Sequence, residues 1–106
     1  MPVPNFTLVF DEVMIKQLQK AAKDAQIKSI LTKLLDRIER DEPNAGKLLD
    51  SHIFLYEMKL KRPPIRLYFK HRRDTNEMYV FEYQMKTSEK EQKGTINKLR
   101  KKSSES

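Results

Sequence analysis

The stretch IFLYEMKLKRPPIRLYFKHRRDTNEMYVFEYQM, residues 53–85, decides the fold. Apolar and polar residues alternate along it, and a period of two places successive side chains on opposite faces of an extended chain. Two turn signals interrupt it, Arg62-Pro63-Pro64 and Asp74-Thr75-Asn76. The reading is three strands, Ile53 to Lys61, Ile65 to Lys70 and Met78 to Met85, joined as an antiparallel meander. The phase assigns Phe54, Tyr56, Met58 and Leu60, then Ile65, Leu67 and Phe69, then Tyr79, Phe81, Tyr83 and Met85 to one apolar face. The opposite face carries Glu57, Lys59, Lys61, Arg66, Tyr68, Lys70, Glu82, Gln84 and Lys86: polar, mostly basic, with one tyrosine.

Upstream of this stretch the period becomes helical. Phe6 to Phe10 (FTLVF) is a short β-branched and aromatic run, and Asp11 with Glu12 supplies the oxygens that start a helix over about Glu12 to Lys23. Its inner stripe is Val13, Met14, Leu18, Ala21 and Ala22. Ile27, Ile30, Leu31, Leu34, Leu35 and Ile38 trace one face of a second helix. The break at Asp24 to Gln26 predicts an antiparallel helical hairpin, which Pro43-Asn44-Ala45-Gly46 terminates.

Downstream, Thr87 or Ser88 caps a final helix, and Ser88 with Glu91 has capping-box spacing. Only Ile96 and Leu99 can dock it, while Lys90, Lys93, Lys98, Arg100, Lys101 and Lys102 make it strongly basic. Gly94 weakens it by about 1 kcal/mol relative to Ala. The expectation is a mobile C-terminal helix with a frayed end from Ser103 to Ser106. The fold class is therefore α+β: one domain over residues 1–102, in which a first strand and a helical hairpin pack on a small antiparallel sheet formed by the meander plus that strand.

At 106 residues the chain can bury about two thirds of its unfolded surface. It has no Cys, which excludes disulfide frameworks, thiolate nucleophiles and cysteine metal sites, and only His52 and His71 could serve as imidazole ligands. No metal and no small-molecule cofactor is expected, since two glycines make no phosphate loop. No apolar run approaches a membrane span and the N-terminal stretch lacks a signal-peptide pattern, so the expectation is a cytoplasmic protein without a membrane partner.

Charge carries the functional signal. The formal net charge is +7, yet residues 1–46 hold seven basic and seven acidic side chains, so the whole excess lies downstream. An excess of that sign points to a polyanion. A basic sheet face can hold a phosphodiester, neutralise charge in a pentavalent transition state and position a ribose 2'-hydroxyl for in-line attack, without a cofactor. Arg66 suits bidentate phosphate contact, Lys59, Lys61 and Lys86 are point charges, and Tyr68 can stack a base or bond a phosphate. The same pattern also describes the solvated side of a half-exposed sheet.

Leu55-Tyr56-Glu57-Met58-Lys59, followed after a turn by Ile65-Arg66-Leu67-Tyr68-Phe69, resembles the "LYELR … YRILY" core of the RelE/ParE toxin superfamily, especially its phage-derived HigB-like branch. Val80 to Thr87 (VFEYQMKT) resembles that branch's closing "VLLHGFVKKT" segment, and the order of elements agrees over roughly residues 6–102. The resemblance implies a RelE-like microbial RNase-type fold and a ribosome-dependent mRNA endonuclease. Such a protein is the toxin of a type II toxin–antitoxin pair, cutting mRNA in the ribosomal A site to leave a cyclic phosphate. It implies catalytic roles for Arg66, Lys59 and Lys86, and RNA contacts for Lys61, Tyr68, Lys70, Lys90 and Lys93. The implied partners are mRNA on the ribosome and a cognate antitoxin. The chain departs from the pattern at Glu57, where some members have a catalytic lysine, at Gln92, near the place of a C-terminal tyrosine, and at Met85, in place of a lysine. Glu57 and Glu82 on the basic face favour the alternative, a ParE-like gyrase inhibitor or a non-cleaving relative that binds nucleic acid or antitoxin.

Overall fold

The computed structural model describes residues 6–41, 46–85 and 88–105. The elements are β1 (Thr7–Phe10), α1 (Glu12–Ala21), α2 (Ala25–Asp41), β2 (Lys47–Asp50), β3 (Leu55–Lys61), β4 (Pro64–Arg72), β5 (Glu77–Met85) and α3 (Glu89–Glu105). Local chemistry accounts for most boundaries. The Asp11 carboxylate accepts the Val13 N–H at 3.0 Å and caps α1. Asp24 accepts the N–H groups of Gln26 and Ile27, starting α2 within the expected break. Ser88 and Glu91 bond reciprocally, Glu91 N–H to Ser88 Oγ at 3.2 Å and Ser88 Oγ–H to Glu91 Oε1 at 3.1 Å. Asn76 takes φ 58° in the β4–β5 turn, a left-handed position that Asn tolerates.

The sheet has five strands in the order β1-β5-β4-β3-β2. The meander β3-β4-β5 is antiparallel as expected. Two features differ from the expectation. The segment Lys47–Asp50 adds an edge strand paired with β3, which the sequence did not signal because four residues after a turn are too short to show a period. In addition, β1 pairs with β5 in parallel, so the sheet is mixed. With both helices and β2 to β4 intervening, β1 meets β5 at the far edge, and the parallel direction follows from that long crossover.

Helices α1 and α2 pack on one face of the sheet. Met14, Leu34 and Ile38 join Tyr56, Met58, Ile65, Leu67, Phe69, Met78 and Val80 in the main core. Val13 and Ala22, read as part of the inner stripe of α1, are exposed instead. The expected phase holds in β3 and β4 and for Tyr83, but fails for Tyr79 and Phe81. Tyr68 pairs with Glu82 and Phe69 with Val80, leaving Phe81 as the extra residue of a bulge. One added residue flips everything before it to the other face. Met78 and Val80 thus enter the main core, while Tyr79 and Phe81 turn to the opposite side.

That opposite side is covered. Leu99 of α3 joins Leu55, Tyr68 and Phe81 in a second core, with Ile96, Tyr79, Leu49 and Ile53 at its margin. Three layers result: α1 and α2, the sheet, and α3. The expected loose helix is a docked one, and it continues through Ser103 to Glu105 where fraying was expected. Its apolar anchor is small, as the sequence indicated. Polar contacts to distant parts of the chain, invisible in a linear reading, supply the rest.

Candidate functional site: a basic sheet face beneath the C-terminal helix

Strand register assembles the face in rows. Lys59, Arg66 and Gln84 are direct neighbours across β3, β4 and β5, and the next row is Glu57, Tyr68 and Glu82. Arg66 and Lys59, which alternation puts on one face, are direct cross-strand neighbours, with Lys61 one step further out and both lysines exposed. Lys86 lies outside the described residues. Lys70 shares the face but sits at its other end, opposite Leu55 and Tyr79. Lys90 and Lys93 are exposed on the first turns of α3.

Tyr68 does not have the place expected of it. Its side chain is fully buried, 0% exposed, beneath Leu99. Strand phase correctly put it on the α3 side but could not reveal that a helix covers that side. Among the described residues its hydroxyl makes no well-formed hydrogen bond. Burial pushes the phenol pKa up, the Glu57 charge adds to this, and the Arg66 guanidinium opposes it. A tyrosine in that position cannot stack an RNA base while α3 is docked.

The two carboxylates of the face have partners. Glu57 lies 4.0 Å from Arg66 Nη1 and accepts a hydrogen bond from Gln92 Nε2 on α3. Glu82 forms an ion pair with Lys98 at 2.7 Å. Gln84 donates to Thr95 Oγ1 at 2.6 Å, completing a polar seam along the helix. Glu57 and Gln92, two of the three positions at which the sequence departs from the pattern it resembles, thus touch each other across 35 positions of sequence. Arg66 is 18% exposed, and its Nη1 is buried with no hydrogen-bond partner among the described residues. At 4.0 Å Glu57 supplies an ion pair but no hydrogen bond, so this donor still gains from an anion that comes closer, because a buried donor without a hydrogen bond costs about 1–3 kcal/mol.

Two further contacts anchor the far half of α3. Arg100 pairs with Asp50 at 2.7 Å and Lys102 with Asp11 at 2.8 Å. Burial alone pushes the Asp11 carboxyl up, but hydrogen bonds from Lys102, Tyr79 and the Val13 amide outweigh it, so its pKa lies below the usual value. The Asp50 carboxyl is also lowered, by the His52 amide and by Arg100. The phenol of Tyr79 donates to Asp11 at 2.7 Å, and burial together with that bond pushes its pKa up to about 12. The sequence marked Asp11 as a helix cap only; its second role depends on a residue 91 positions away.

Among the described residues no group of three or more His, Asp or Glu is placed to hold a metal ion, and no helix is long and apolar enough to cross a membrane. His71 packs edge-on to Phe6 at 5.3 Å, and His52 is exposed in the turn before β3.

No protein-family model matches the chain, and no curated protein matches it. Solved structures do match. The intact RelBE toxin–antitoxin complex of E. coli contains a chain with TM-score 0.62 at 23% identity, covering 78% of this chain and 99% of that one. The isolated E. coli RelE toxin gives 0.63 at 20% identity over 89% and 98%. The RelBE2 complex of Mycobacterium tuberculosis gives 0.63 at 15% identity over 79% and 100%. At these identities the likeness is one of fold, and the fold is that of RelE. These structures do not distinguish the HigB-like branch within the resemblance.

Proposed function

We propose, proceeding from the RelE fold, that this chain is the toxin of a type II toxin–antitoxin pair and acts as a ribosome-dependent mRNA endonuclease in the cytoplasm. The observation that carries the reading is the row Lys59-Arg66, two neighbouring cations on the sheet face, in which Arg66 Nη1 makes no hydrogen bond among the described residues and faces the Glu57 carboxylate only at 4.0 Å. In the reaction the ribose 2'-oxygen attacks the adjacent phosphorus, the bond to the 5'-oxygen breaks as that oxygen takes a proton from water to leave as a 5'-hydroxyl, and a 2',3'-cyclic phosphate remains. Arg66 and Lys59 neutralise the negative charge that builds on the non-bridging oxygens. Glu57 is the carboxylate beside Arg66, and it accepts the 2'-hydroxyl proton once Gln92 gives way. Lys61, Lys90 and Lys93 hold the RNA backbone at the rim.

The cognate antitoxin is the second partner. Two of the matched RelE-fold chains are in complexes with antitoxins, and an excess of positive charge on one half of a toxin needs an acidic cover.

The test is a cleavage map of mRNA on translating ribosomes. Wild type should cut, and Arg66→Ala should cut slower by on the order of 100-fold or more. Absence of cutting by wild type, or an Arg66→Ala variant as fast as wild type, overturns the enzyme reading. The ion pair between Glu57 and Arg66 favours a second reading, a non-cleaving relative or a ParE-like gyrase inhibitor. Growth arrest that stops replication and spares translation identifies it.

A further inference from the structure

The end of the sheet away from Arg66 holds a second basic feature. A cleft of about 420 Å³ opens between the turn before β3 and the β4–β5 turn, walled in part by His52, Phe54, Lys70, His71 and Arg73. Along β4 it lies roughly 13–20 Å from Arg66, at about 3.3 Å per residue.

Three independent observations mark it. Phe54 adopts φ 53°, a left-handed backbone that a bulky residue takes only when its surroundings impose it. Here the Phe54 carbonyl accepts the His71 N–H at 3.1 Å, and the Arg73 guanidinium lies over the Phe54 ring at 5.1 Å. Second, the cations are poorly balanced. Arg72 is paired with Glu77 at 3.5 Å, and Asp74 is the acidic residue of the wall, but among the described residues Lys70 and Arg73 have no carboxylate within 4 Å. Desolvation and the neighbouring Arg72 hold the Lys70 amine below its usual pKa, and the pull of Asp74 only partly offsets them. Third, the His71 Nε2 is buried without a hydrogen-bond partner among the described residues.

We propose that this cleft is a phosphodiester-binding subsite for RNA, in which Lys70 and Arg73 hold the backbone. The inference rests on RNA as the target and adds a second grip, separate from the Arg66 row. An acidic protein segment fits less well: the exposed large apolar side chains that would anchor a peptide, Val13, Ile15, Leu48 and Met85, all lie outside the cleft. A guanidinium lying over an aromatic ring keeps its N–H edge free for phosphate oxygens.

The experiment measures binding of the full chain to a fluorescent single-stranded ribo-oligonucleotide and to an RNA hairpin, from 50 to 200 mM salt. The variants are Lys70→Gln with Arg73→Gln, and a control, Lys28→Gln with Lys33→Gln, that removes equal charge from the outer side of α2. The first pair should weaken binding by about tenfold and lower the salt slope by about 0.7 per lost contact on the single strand. The control should change little. Loss on the single strand assigns the subsite to the substrate strand, and loss on the hairpin alone assigns it to structured RNA; both support the proposal. Equal affinities for the two pairs, or displacement by a polyglutamate peptide at the same concentration as by RNA, overturn it. A protein that never cleaves but shows this loss refutes the enzyme reading and leaves the subsite standing.

Discussion

Tyr68 and Glu57 show how a residue's meaning depends on what lies above it. Each sits on the strand face that alternation assigns, yet the first is sealed under Leu99 and the second is held by Gln92 and Arg66. A phenol whose hydroxyl is buried without a good partner contributes packing and no hydrogen bond. Tyr68→Phe should therefore leave stability within about 1 kcal/mol of wild type or raise it, since an unmade bond costs nothing to remove. Urea denaturation checks this. A loss of more than 2 kcal/mol would mean that the hydroxyl bonds Arg66 in solution.

At the scale of elements, α3 is the part whose character the sequence and the structure describe differently. Its two apolar positions and its Gly94 read as weakness, and Gly94 does weaken it: a Cβ there would meet nothing within 4 Å. Gly94→Ala should thus stabilise the protein by about 0.5–1 kcal/mol. Thermal melting should show a Tm rise, and a fall would mean that α3 is not helical at that position in solution. The contrast is Gly46, whose added Cβ would stand 2.7 Å from the Glu57 carbonyl oxygen, so the close approach of β2 to β3 needs glycine. The contacts that hold α3 join it to β2, β3, β5 and the start of α1. Three of them, to Glu57, Asp50 and Asp11, join residues 35 to 91 positions apart, which no local pattern encodes.

Across the whole molecule, Asp50 and Asp11 stand at the ends of the two edge strands, and α3 reaches both through Arg100 and Lys102. Both carboxyls have folded pKa values below their unfolded ones. Their contribution is complete above the unfolded value, near 3.9, and is lost as pH falls through the lower folded value. Amide exchange in α3 should accordingly be constant from pH 7 to about 5, once corrected for intrinsic rates, and accelerate below about pH 4 ahead of the α1 and α2 layer. Uniform acceleration of both layers would show that α3 does not open separately.

The sequence by itself determined the class of fold, the antiparallel meander, both N-terminal helices and the location of the positive charge beyond residue 46. All of these follow from period, turn residues and composition, which are local quantities. Alternation also put Arg66 and Lys59 on one face, while their direct pairing follows from a turn one residue shorter than expected, since Pro64 pairs with Lys61. Only the tertiary structure decided the parallel β1, the bulge at Phe81 that reverses the phase of Tyr79, the burial of Tyr68 under α3, and the cleft beside Phe54. Each of those results from long-range packing, where one inserted residue or one covering helix changes which side chains meet water.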